Sequence, residues 1–402
     1  MKYIILGAGP AGLVVANRLK QNGKDSILVL EREKEAGGLC RSCIVDEAPF
    51  DVGGGHFLDA HNSEAVEYLF EYMPESEWNL YERDSRISIN GYLINSPIES
   101  NIWQMKLDEQ IEHLKSIAVA GCNIGCKMPE KFVDWIDWKL GKRITSEYMM
   151  PYNQKMFADE LNELGTYWLD KLPDVSFEDT LRSCLTRRAY GKQPGHTQFY
   201  YPKKHGFGEV WIRMADNIKS CICYEAAVES IDFINKRVQT TDGEIYSADA
   251  IINTVPWKAF KELRGMPDTM IKNITKLKHS SIETRYFSEK LDTKAQWIYY
   301  PDILLPYHRI LVRHNFCPNS RGYWSETRKE RINMFSVNDK KRFTYMNEYA
   351  YPLNTIEKPK IIKELLHWCE KQQVYALGRW GEHQHYNSDI VVNRALSLAG
   401  RL

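Results

Sequence analysis

The first 31 residues of the chain carry the pattern that most constrains its fold. The apolar run KYIILG (2–7) predicts a buried strand and leads directly into the glycine pattern GAGPAG (7–12). LVVANRLKQNG, which ends at Gly23, has the periodicity of an amphipathic helix, and DSILVLERE predicts a second buried strand ending near Glu31. A Gly-x-Gly-x-x-Gly pattern between a strand and a helix, with an acid roughly 20 residues on, is typical of a dinucleotide-binding Rossmann unit.

Each part of this turn has a physical role in holding a dinucleotide. Gly7 allows the tight turn, Gly9 lets the backbone approach a pyrophosphate, and Gly12 lets the helix pack on the strand. The helix N-terminus offers amide donors and the positive end of its dipole to the phosphates. Glu31 can accept hydrogen bonds from a ribose. The alternative is an α/β domain that binds no nucleotide.

The residues after Glu31 favour FAD over NAD. The pair Gly37–Gly38, with Arg41 three residues further on, lets the chain fold back over a bound diphosphate. FAD proteins of the glutathione-reductase-like group have this second glycine pair, and NAD domains normally lack it. The segment FDVGGGHF (50–57) then brings glycine backbone close to a large flat ring.

The remaining sequence predicts two further regions. Residues 100–190 have mainly helical periodicity, and we interpret Trp135 and Trp138 as core packing. Residues 280–350 are strand-like and aromatic. We therefore predict an α/β fold: a discontinuous Rossmann-like FAD-binding domain, a helical insertion and an antiparallel β-sheet substrate domain. The predicted bounds are 1–95, 205–260 and 355–402 for the FAD-binding domain, 96–204 for the helical domain and 261–354 for the β-sheet domain.

The composition argues against several classes of protein. Lysine plus arginine number 53, as do aspartate plus glutamate, and a zero formal net charge argues against nucleic-acid binding. No apolar run reaches the ~18 residues of a membrane span, and the N-terminus lacks the pattern of a secretory signal. Nine cysteines without a disulfide-like spacing indicate reduced thiols in a cytoplasmic protein.

Two local patterns raise the question of a metal site. Cys40 and Cys43 form one close pair, and Cys122 and Cys126 form another, but neither has partners that complete a zinc site. The stretch GRWGEHQHYNSD (378–389) contains His-x-His, which suits either a metal site or the lining of a metal-free active site. Because further ligands at a matching spacing are missing, we predict no bound metal.

Longer segments of the chain resemble a known family. GAGPAG, LEREKEAGGLCRS, FDVGGGH and GRWGE are similar to the FAD-binding motifs of the amine-oxidase and protoporphyrinogen-oxidase-like flavoproteins. Over nearly its whole length, the chain resembles the flavin-dependent UDP-galactopyranose mutases within that group. This narrower resemblance rests on INGYLINSPIESNI, MPYNQKMF, YYPKKHGFGEVW, WIYYPDILLPYHRILVRHNF, AYP and GRWGEHQHYNSD, which occur in the family's order.

The resemblance implies FAD-dependent isomerisation of a nucleotide-linked sugar. In this family, reduced FAD acts through its N5 nitrogen as a nucleophile at the anomeric carbon, UDP leaves, and the sugar returns as a furanose without net oxidation. The product serves cell-surface glycan synthesis. The resemblance thus implies a nucleotide-sugar substrate, a reductant such as NAD(P)H, and dimers or larger oligomers.

Family positions carry over to the cofactor site. His56 falls on a histidine in the glycine loop beside the flavin, and Arg379 on an arginine near the flavin ring. Val228 falls where such folds place backbone against adenine. The full set of expected cofactor contacts is Gly7, Gly9, Pro10, Ala11, Gly12, Glu31, Arg32, Gly38, Leu39, Arg41, Gly54, Gly55, His56, Val228, Gly378, Arg379, Asp389 and Ile390.

The resemblance also implies the substrate contacts. Arg309 falls on an arginine that binds the diphosphate, and Tyr351 falls on a tyrosine that contacts phosphate. Trp297 and Tyr299 fall on pocket aromatics near the nucleotide. The alternatives are a surface arginine, an ordinary half-buried tyrosine and two aromatics of a sheet core.

Several positions depart from the family pattern. Lys171 stands where relatives have a second diphosphate arginine, unless Arg182 or Arg187 reaches in from the next helix. Phe316 keeps the ring of a family tyrosine and loses the hydroxyl. In the C-terminal motif the family tyrosine is His385; Tyr386 beside it could supply a phenol, and Asn387 replaces an acid. The expected catalytic residues are His56, Arg309, Tyr351, His385 and Lys171, and the expected substrate contacts are Trp297, Tyr299, Phe316, Tyr386 and Asn387.

These departures leave the substrate open. Each lost contact costs on the order of 1–3 kcal/mol if nothing replaces it, so a different nucleotide-linked sugar is a fair expectation. The competing hypotheses are an FAD-dependent oxidoreductase of the amine-oxidase type and a flavin-binding scaffold without turnover.

Overall fold

The N-terminal strand–helix–strand unit forms where the glycine pattern predicts it. In the computed structural model, β1 spans Tyr3–Leu6, α1 spans Pro10–Gln21 and β2 spans Ile27–Leu30. All of β1 is buried, as expected for the central strand of a parallel sheet covered on both faces. A Cβ atom on Gly12 would lie 1.9 Å from the carbonyl oxygen of Gly7, so only glycine fits where α1 packs on the turn.

The structure describes residues 1–121, 123, 125–169, 172–193, 197–339 and 342–402. Lys171 lies outside these residues. Across the described part of the chain, no helix has both the length and the apolar character that a membrane span requires.

A five-stranded parallel sheet, the cofactor sheet, brings together three distant parts of the chain. It adds β10 (Ile222–Cys223), β14 (Ala250–Asn253) and β21 (Val374–Ala376) to the first two strands. The strand order is β10-β2-β1-β14-β21, with β1 at the centre. The discontinuous Rossmann-like arrangement is therefore confirmed.

A second sheet has seven strands, and their spatial order across the sheet is β20-β16-β19-β18-β17-β7-β8. Neighbouring strands are antiparallel except β17 and β7, which are parallel. Five of its strands come from residues 261–354, predicted as the β-sheet domain, and β7 and β8 come from outside them. Its strands are β7 (Ser85–Ile89), β8 (Tyr92–Asn95), β16 (His279–Phe287), β17 (Trp297–Tyr299), β18 (Arg309–Val312), β19 (Tyr323–Arg328) and β20 (Thr344–Pro352).

Smaller sheets complete the described strands. The first is the hairpin of β3 (Ser42–Val45) and β4 (Ala48–Asp51). The second consists of β5 (Leu58–Asp59), β6 (Trp78–Glu82) and β9 (Gln198–Pro202). The third consists of β11 (Val228–Asp232), β12 (Arg237–Thr240), β13 (Ile245–Ser247) and β15 (Glu262–Arg264).

Residues 100–190 are mainly helical, as predicted, and Trp135 is buried in the core of this region with Trp138 packed against it. Its helices are α3 (Ile98–Asn101), α4 (Leu107–Gly121), α5 (Phe132–Ile144), α6 (Met150–Met156) and α7 (Phe177–Thr186). The other helices are α2 (Ser63–Phe70), α8 (Gly208–Asn217), α9 (Asp268–Lys276), α10 (Lys358–Lys371), α11 (Gly378–Gly381) and α12 (Ser388–Arg401).

Strand pairing moves three of the predicted domain bounds. β7 and β8 belong to the seven-stranded sheet, although residues 1–95 were predicted to form part of the FAD-binding domain. β15 pairs with β11 of the FAD-binding segment, and β9 pairs with β5 and β6. Hydrogen-bonded strands belong to one sheet even when they are far apart in the chain. The hydrophobic pattern of the sequence therefore did not show which of these strands pair.

Candidate active site

A cavity of about 620 Å³ opens at the carboxyl ends of β1, β2 and β14. Ligands of open α/β sheets bind at this edge. The cavity is lined by many of the residues predicted to hold a cofactor: Gly7, Gly9, Pro10, Ala11, Glu31, Arg32, Gly38, Leu39, Arg41, His56, Val228 and Arg379.

The glycines of the two loops form a cradle for a diphosphate. Gly7 has a φ of 98°, which favours glycine at this turn. A Cβ on Gly38 would lie 3.1 Å from the Cα of Gly9, so the two loops approach each other at backbone distance. The start of α1 points its free amides into the same space. These features fit the pyrophosphate of FAD.

Glu31 is fixed at the wall of the cavity. Its carboxylate accepts hydrogen bonds from the amides of Ala8, at 2.6 Å, and Glu33, at 2.9 Å. Burial raises the pKa of Glu31, while these amides and the nearby Arg41 oppose the rise. A carboxylate held this way fits a ribose hydroxyl.

β20 covers the cavity from the side of the seven-stranded sheet. Five consecutive residues of this strand, 345–349, line the cavity, among them Tyr345, Asn347 and Tyr349. Arg41 donates from Nη2 to the hydroxyl of Tyr345 and from Nε to the carbonyl of Gly38 at 3.1 Å. Arg41 therefore joins the second glycine loop to the covering strand.

The glycine loop 53–55 meets the seven-stranded sheet rather than the cavity. The amide of Gly55 donates to Oε1 of Glu326 at 3.3 Å, and a Cβ on Gly54 would lie 2.5 Å from that oxygen. His56, next in the chain, does line the cavity. Burial and the charge of Arg379 lower the pKa of His56 to about 4, so its imidazole is neutral near pH 7.

One face of the seven-stranded sheet gathers polar groups beside this loop. Tyr299 on β17 pairs with Arg309 on β18, which pairs with Glu326 on β19, so the three side chains share a face. Nη2 of Arg309 donates to Glu326 at 2.8 Å and to the hydroxyl of Tyr351 at 3.0 Å. That hydroxyl donates to the other oxygen of Glu326 at 3.0 Å.

This buried group has a defined charge state. Burial alone would raise the pKa of Glu326, but Arg309 and His308 hold it well below its usual range. Burial would lower the pKa of Arg309, but Glu326 keeps it raised. Burial raises the pKa of Tyr351, so its phenol stays protonated, and lowers the pKa of His308 to about 4. Glu326 and Arg309 are thus the charged members.

The C-terminal motif reaches this group from the cofactor side. Arg379 donates to the carbonyl of Tyr386 at 2.9 and 3.0 Å and to the carbonyl of Ala350 at 3.2 Å. The ring of His385 lies 4.9 Å from that of Tyr351. His383 instead meets the carbonyl of Lys278 through Nε2 at 3.0 Å. The two histidines of His-x-His thus have different neighbours, and no metal-binding group of three or more ligands occurs within the residues described.

Comparison with known proteins identifies the family. Residues 10–282, more than half of the chain, match the family described as flavin-containing amine oxidoreductase. The chain belongs to this family. Its membership implies a flavin cofactor, in agreement with the cradle described above. The chain is 29% identical over 110 residues to UDP-galactopyranose mutase of Mycoplasma pneumoniae, covering 26% of each protein. It is 30% identical over 87 residues to inactive all-trans-retinol 13,14-reductase of Danio rerio, covering 22% of this chain and 14% of that protein.

Solved structures share the fold of this chain. A reduced UDP-galactopyranose mutase has a TM-score of 0.88 at 21% identity and covers 100% of this chain and 93% of its own. A protein described as a protoporphyrinogen oxidase from Exiguobacterium sp. 255-15 has a TM-score of 0.72 at 13% identity, covering 100% and 98%. At these identities the likeness shows the fold alone. The chain spans between 14% and 50% of the lengths of the curated relatives it matches.

Two of the predicted substrate contacts, Phe316 and Trp297, lie in an aromatic cluster of the core. Phe316 has no exposed surface and packs against Phe57, Tyr201 and Trp324, so its position is corrected to the core. Trp297, 4% exposed, packs in the same aromatic cluster, as its alternative interpretation stated. Sequence spacing places these rings on strands but does not show which face of the sheet they occupy.

Three residues predicted to contact the cofactor, Gly378, Asp389 and Ile390, do not line the cavity. A Cβ on Gly378 would lie 2.7 Å from the Cβ of Ala11, so this glycine lets the C-terminal turn approach α1. Asp389 is buried and accepts from Asn62 at 3.0 Å. Ile390 is 39% exposed, so the structure places this side chain at the surface rather than at the cofactor cavity. Asn387 is exposed at the start of α12.

Two of the candidates for a second diphosphate cation, Arg182 and Arg187, are exposed residues of α7 and its C-terminal end. Lys171 lies outside the described residues. Arg182 is exposed with its guanidinium 5.5 Å from the ring of Tyr190, and Arg187 is exposed at the end of α7.

Sequence reasoning missed three residues of the site. Glu326 is the central acceptor and lies on the strand YWSETR, five of whose six residues are buried although four are polar. Tyr152 on α6 lies 5.6 Å from the ring of Tyr299, and Arg83 donates to the hydroxyl of Tyr299 at 2.9 Å. The roles of Tyr152 and Arg83 follow from the packing of α6 and the end of β6 against β17, which the sequence does not show.

Proposed function

We propose that this flavoprotein interconverts the pyranose and furanose forms of a nucleotide-linked sugar, in the manner of UDP-galactopyranose mutase. The observation that carries the proposal is the Arg309–Glu326–Tyr351 group. Its Glu326 also accepts a hydrogen bond from the amide of Gly55 in the glycine loop 53–55. A diphosphate bound there would lie next to the flavin. We propose reduced FAD as the active form and a soluble reductant such as NAD(P)H as its partner.

The charge of the group suits an anionic substrate. Arg309 and Arg379 are two guanidiniums, Glu326 is one carboxylate, and His56 and His308 are neutral near pH 7. One net positive charge remains in a largely buried place, where electrostatic interactions are strong. A cationic amine would be disfavoured there, and a phosphate would be favoured.

Phenols complete the proposed substrate pocket. Tyr152, Tyr299 and Tyr351 lie around Arg309, and burial raises the pKa of Tyr152 and Tyr351, so these two phenols stay protonated. When bound, reduced FAD would supply a nucleophilic nitrogen for the anomeric carbon. The chain's own contribution is to bind the leaving diphosphate through Arg309 and to keep water out with its aromatic walls.

The test uses purified FAD-loaded protein reduced with dithionite under nitrogen. We expect it to convert UDP-galactopyranose, or another sugar of a UDP- and TDP-sugar panel, to a furanose detected by chromatography. The oxidised protein is the matched control and should be inactive. Absence of furanose across the panel with fully reduced flavin would contradict the proposal.

The second candidate is an FAD-dependent oxidoreductase, which the match to the amine oxidoreductase family favours. In that case an amine or ring substrate should itself bleach the oxidised flavin in the absence of oxygen. Bleaching without furanose formation would favour this candidate over the mutase.

A further inference from the structure

Lys155 is a buried lysine for which the proposed chemistry has no use. It lies on α6, and its side chain has no exposed surface. Its Nζ donates hydrogen bonds of 2.7 Å to the carbonyl oxygens of Tyr300 and Asp302. Burial lowers the pKa of Lys155 to about 7, aided by the charge of Arg331 and opposed by that of Asp302. A cation retained in such a place depends strongly on its acceptors.

Both acceptors belong to the segment that joins β17 to β18, residues 300–308, called here the 300–308 loop. The amide of Tyr300 donates to the carbonyl of His308 at 2.8 Å, which closes the base of the loop. Arg309 follows directly and begins β18. The position of the loop base therefore sets the position of Arg309.

The tip of the loop is held separately. Ile303 and Leu304 are 58% and 79% exposed there. Arg331 donates to the carbonyl of Ile303 and, at 3.4 Å, to that of Leu305. Two cations thus bind the backbone of one loop, Lys155 at its base and Arg331 at its tip.

The helix that carries Lys155 also carries a wall of the candidate site. Tyr152, three residues earlier on α6, has its ring 5.6 Å from Tyr299 and 5.8 Å from His308. Tyr299 is the residue that pairs with Arg309 across the two strands. α6 therefore contacts both ends of the 300–308 loop, through an aromatic ring and through an ammonium.

We propose that Lys155 is a positioning residue that clamps the 300–308 loop and so holds Arg309 and Tyr299 opposite Tyr152, in the arrangement that binds a nucleotide diphosphate. This inference rests on the proposed function, because it names the part of the chain that shapes the diphosphate subsite. Lys155 acts through the loop backbone and does not itself touch the ligand.

The test compares Lys155→Met with the wild type as FAD-loaded proteins. UDP affinity is measured by calorimetry, and cleavage by chymotrypsin after Leu304 is followed by mass spectrometry. We expect the Kd for UDP to rise about tenfold and cleavage to accelerate. Lys155→Arg, which keeps a cation with several donors, should restore most of the affinity. If Lys155→Met does not hold FAD, Lys155→Gln replaces it with the same expected direction.

Arg331→Met is the matched control, because it releases the same loop at its tip. It should accelerate cleavage while the Kd for UDP stays within about twofold of the wild type. The clamp is overturned if Lys155→Met leaves cleavage and Kd unchanged, or if Lys155→Arg binds UDP no better than Lys155→Met. If the wild type binds no UDP, calorimetry is repeated with TDP, and the proposed function fails if neither nucleotide binds. Cleavage of Lys155→Met at the wild-type rate would then overturn the clamp, and faster cleavage would support it.

Discussion

Glu326 fixes three segments of the candidate site through one carboxylate. It accepts from Arg309, from Tyr351 and from the amide of Gly55. Because Arg309 keeps Glu326 ionised, the charge of Glu326 offsets one of the two guanidinium charges, those of Arg309 and Arg379, near the glycine loop 53–55. The strength of anion binding at this face therefore depends on how firmly Glu326 holds Arg309.

We predict that Glu326→Gln lowers the free energy of unfolding by about 3 kcal/mol, because it leaves Arg309 as a buried cation without its counter-charge. The double variant Glu326→Gln/Arg309→Met should recover part of this loss. Urea unfolding measures both. Glu112→Gln is the matched control: its partner Lys115 is 2.6 Å away on an exposed surface, so no measurable change in the free energy of unfolding is expected. Equal effects of the two glutamine variants would contradict the prediction.

The sequence predicted part of this group. Family resemblance marked Arg309 and Tyr351, which the structure joins by a hydrogen bond. Glu326 was missed because a single acid in a strand usually faces solvent, and only the register with Arg309 places it inside. A contact between residues on different strands depends on pairing that local pattern does not specify.

At the scale of elements, the turn from β1 into α1 separates two uses of glycine. Gly12 is required for packing, because its Cβ would collide with the turn. Gly9 lines the cavity, and a Cβ there would meet nothing nearer than the Cα of Gly38 at 3.7 Å. The first glycine therefore serves the fold, and the second serves the ligand.

We predict that Gly9→Ala weakens FAD binding by about tenfold or more and leaves the unfolding free energy of the FAD-free protein nearly unchanged. Gly12→Ala should lower that stability by several kcal/mol, since backbone must move. Flavin fluorescence titration and urea unfolding separate the two effects. A stability loss in Gly9→Ala as large as in Gly12→Ala would refute this division.

The strand–helix–strand unit was predicted closely because strand, turn and helix are all encoded within 31 consecutive residues. The bounds of the β-sheet domain were not, because β7 and β8 form a hairpin whose apolar pattern suits either sheet. The parallel pairing of β7 with β17, some 200 positions later in the chain, is decided by tertiary contacts.

At the scale of the whole molecule, Asp51 joins parts of the chain that are far apart. Its carboxyl accepts from Ser42 at 2.5 Å, from Tyr201 at 3.0 Å and from the amide of Phe207 at 3.3 Å. Burial raises the pKa of Asp51 to about 7, although these three donors oppose the rise. The folded protein therefore keeps a proton that the unfolded chain releases near pH 4.

The stability contributed by this proton is complete below about pH 4 and is lost as the pH rises towards 7. We predict that Asp51→Asn, which cannot lose a proton, removes about 2 kcal/mol of the pH dependence of unfolding between pH 5 and 7. Urea unfolding at both values measures it. The exposed Asp25→Asn is the control and should follow the wild type. The same pH slope in Asp51→Asn and the wild type would exclude this role.

The strand order of the cofactor sheet has a consequence for biosynthesis. β1 is translated long before its neighbour β14, which lies about 250 positions later, and before the edge strand β21 near residue 375. The apolar faces of β1 and α1 must therefore remain unsatisfied while most of the polypeptide is still being translated, a period in which chaperones bind such surfaces. Residues of α12 line the cavity, so the proposed flavin site is complete only after this helix has been translated.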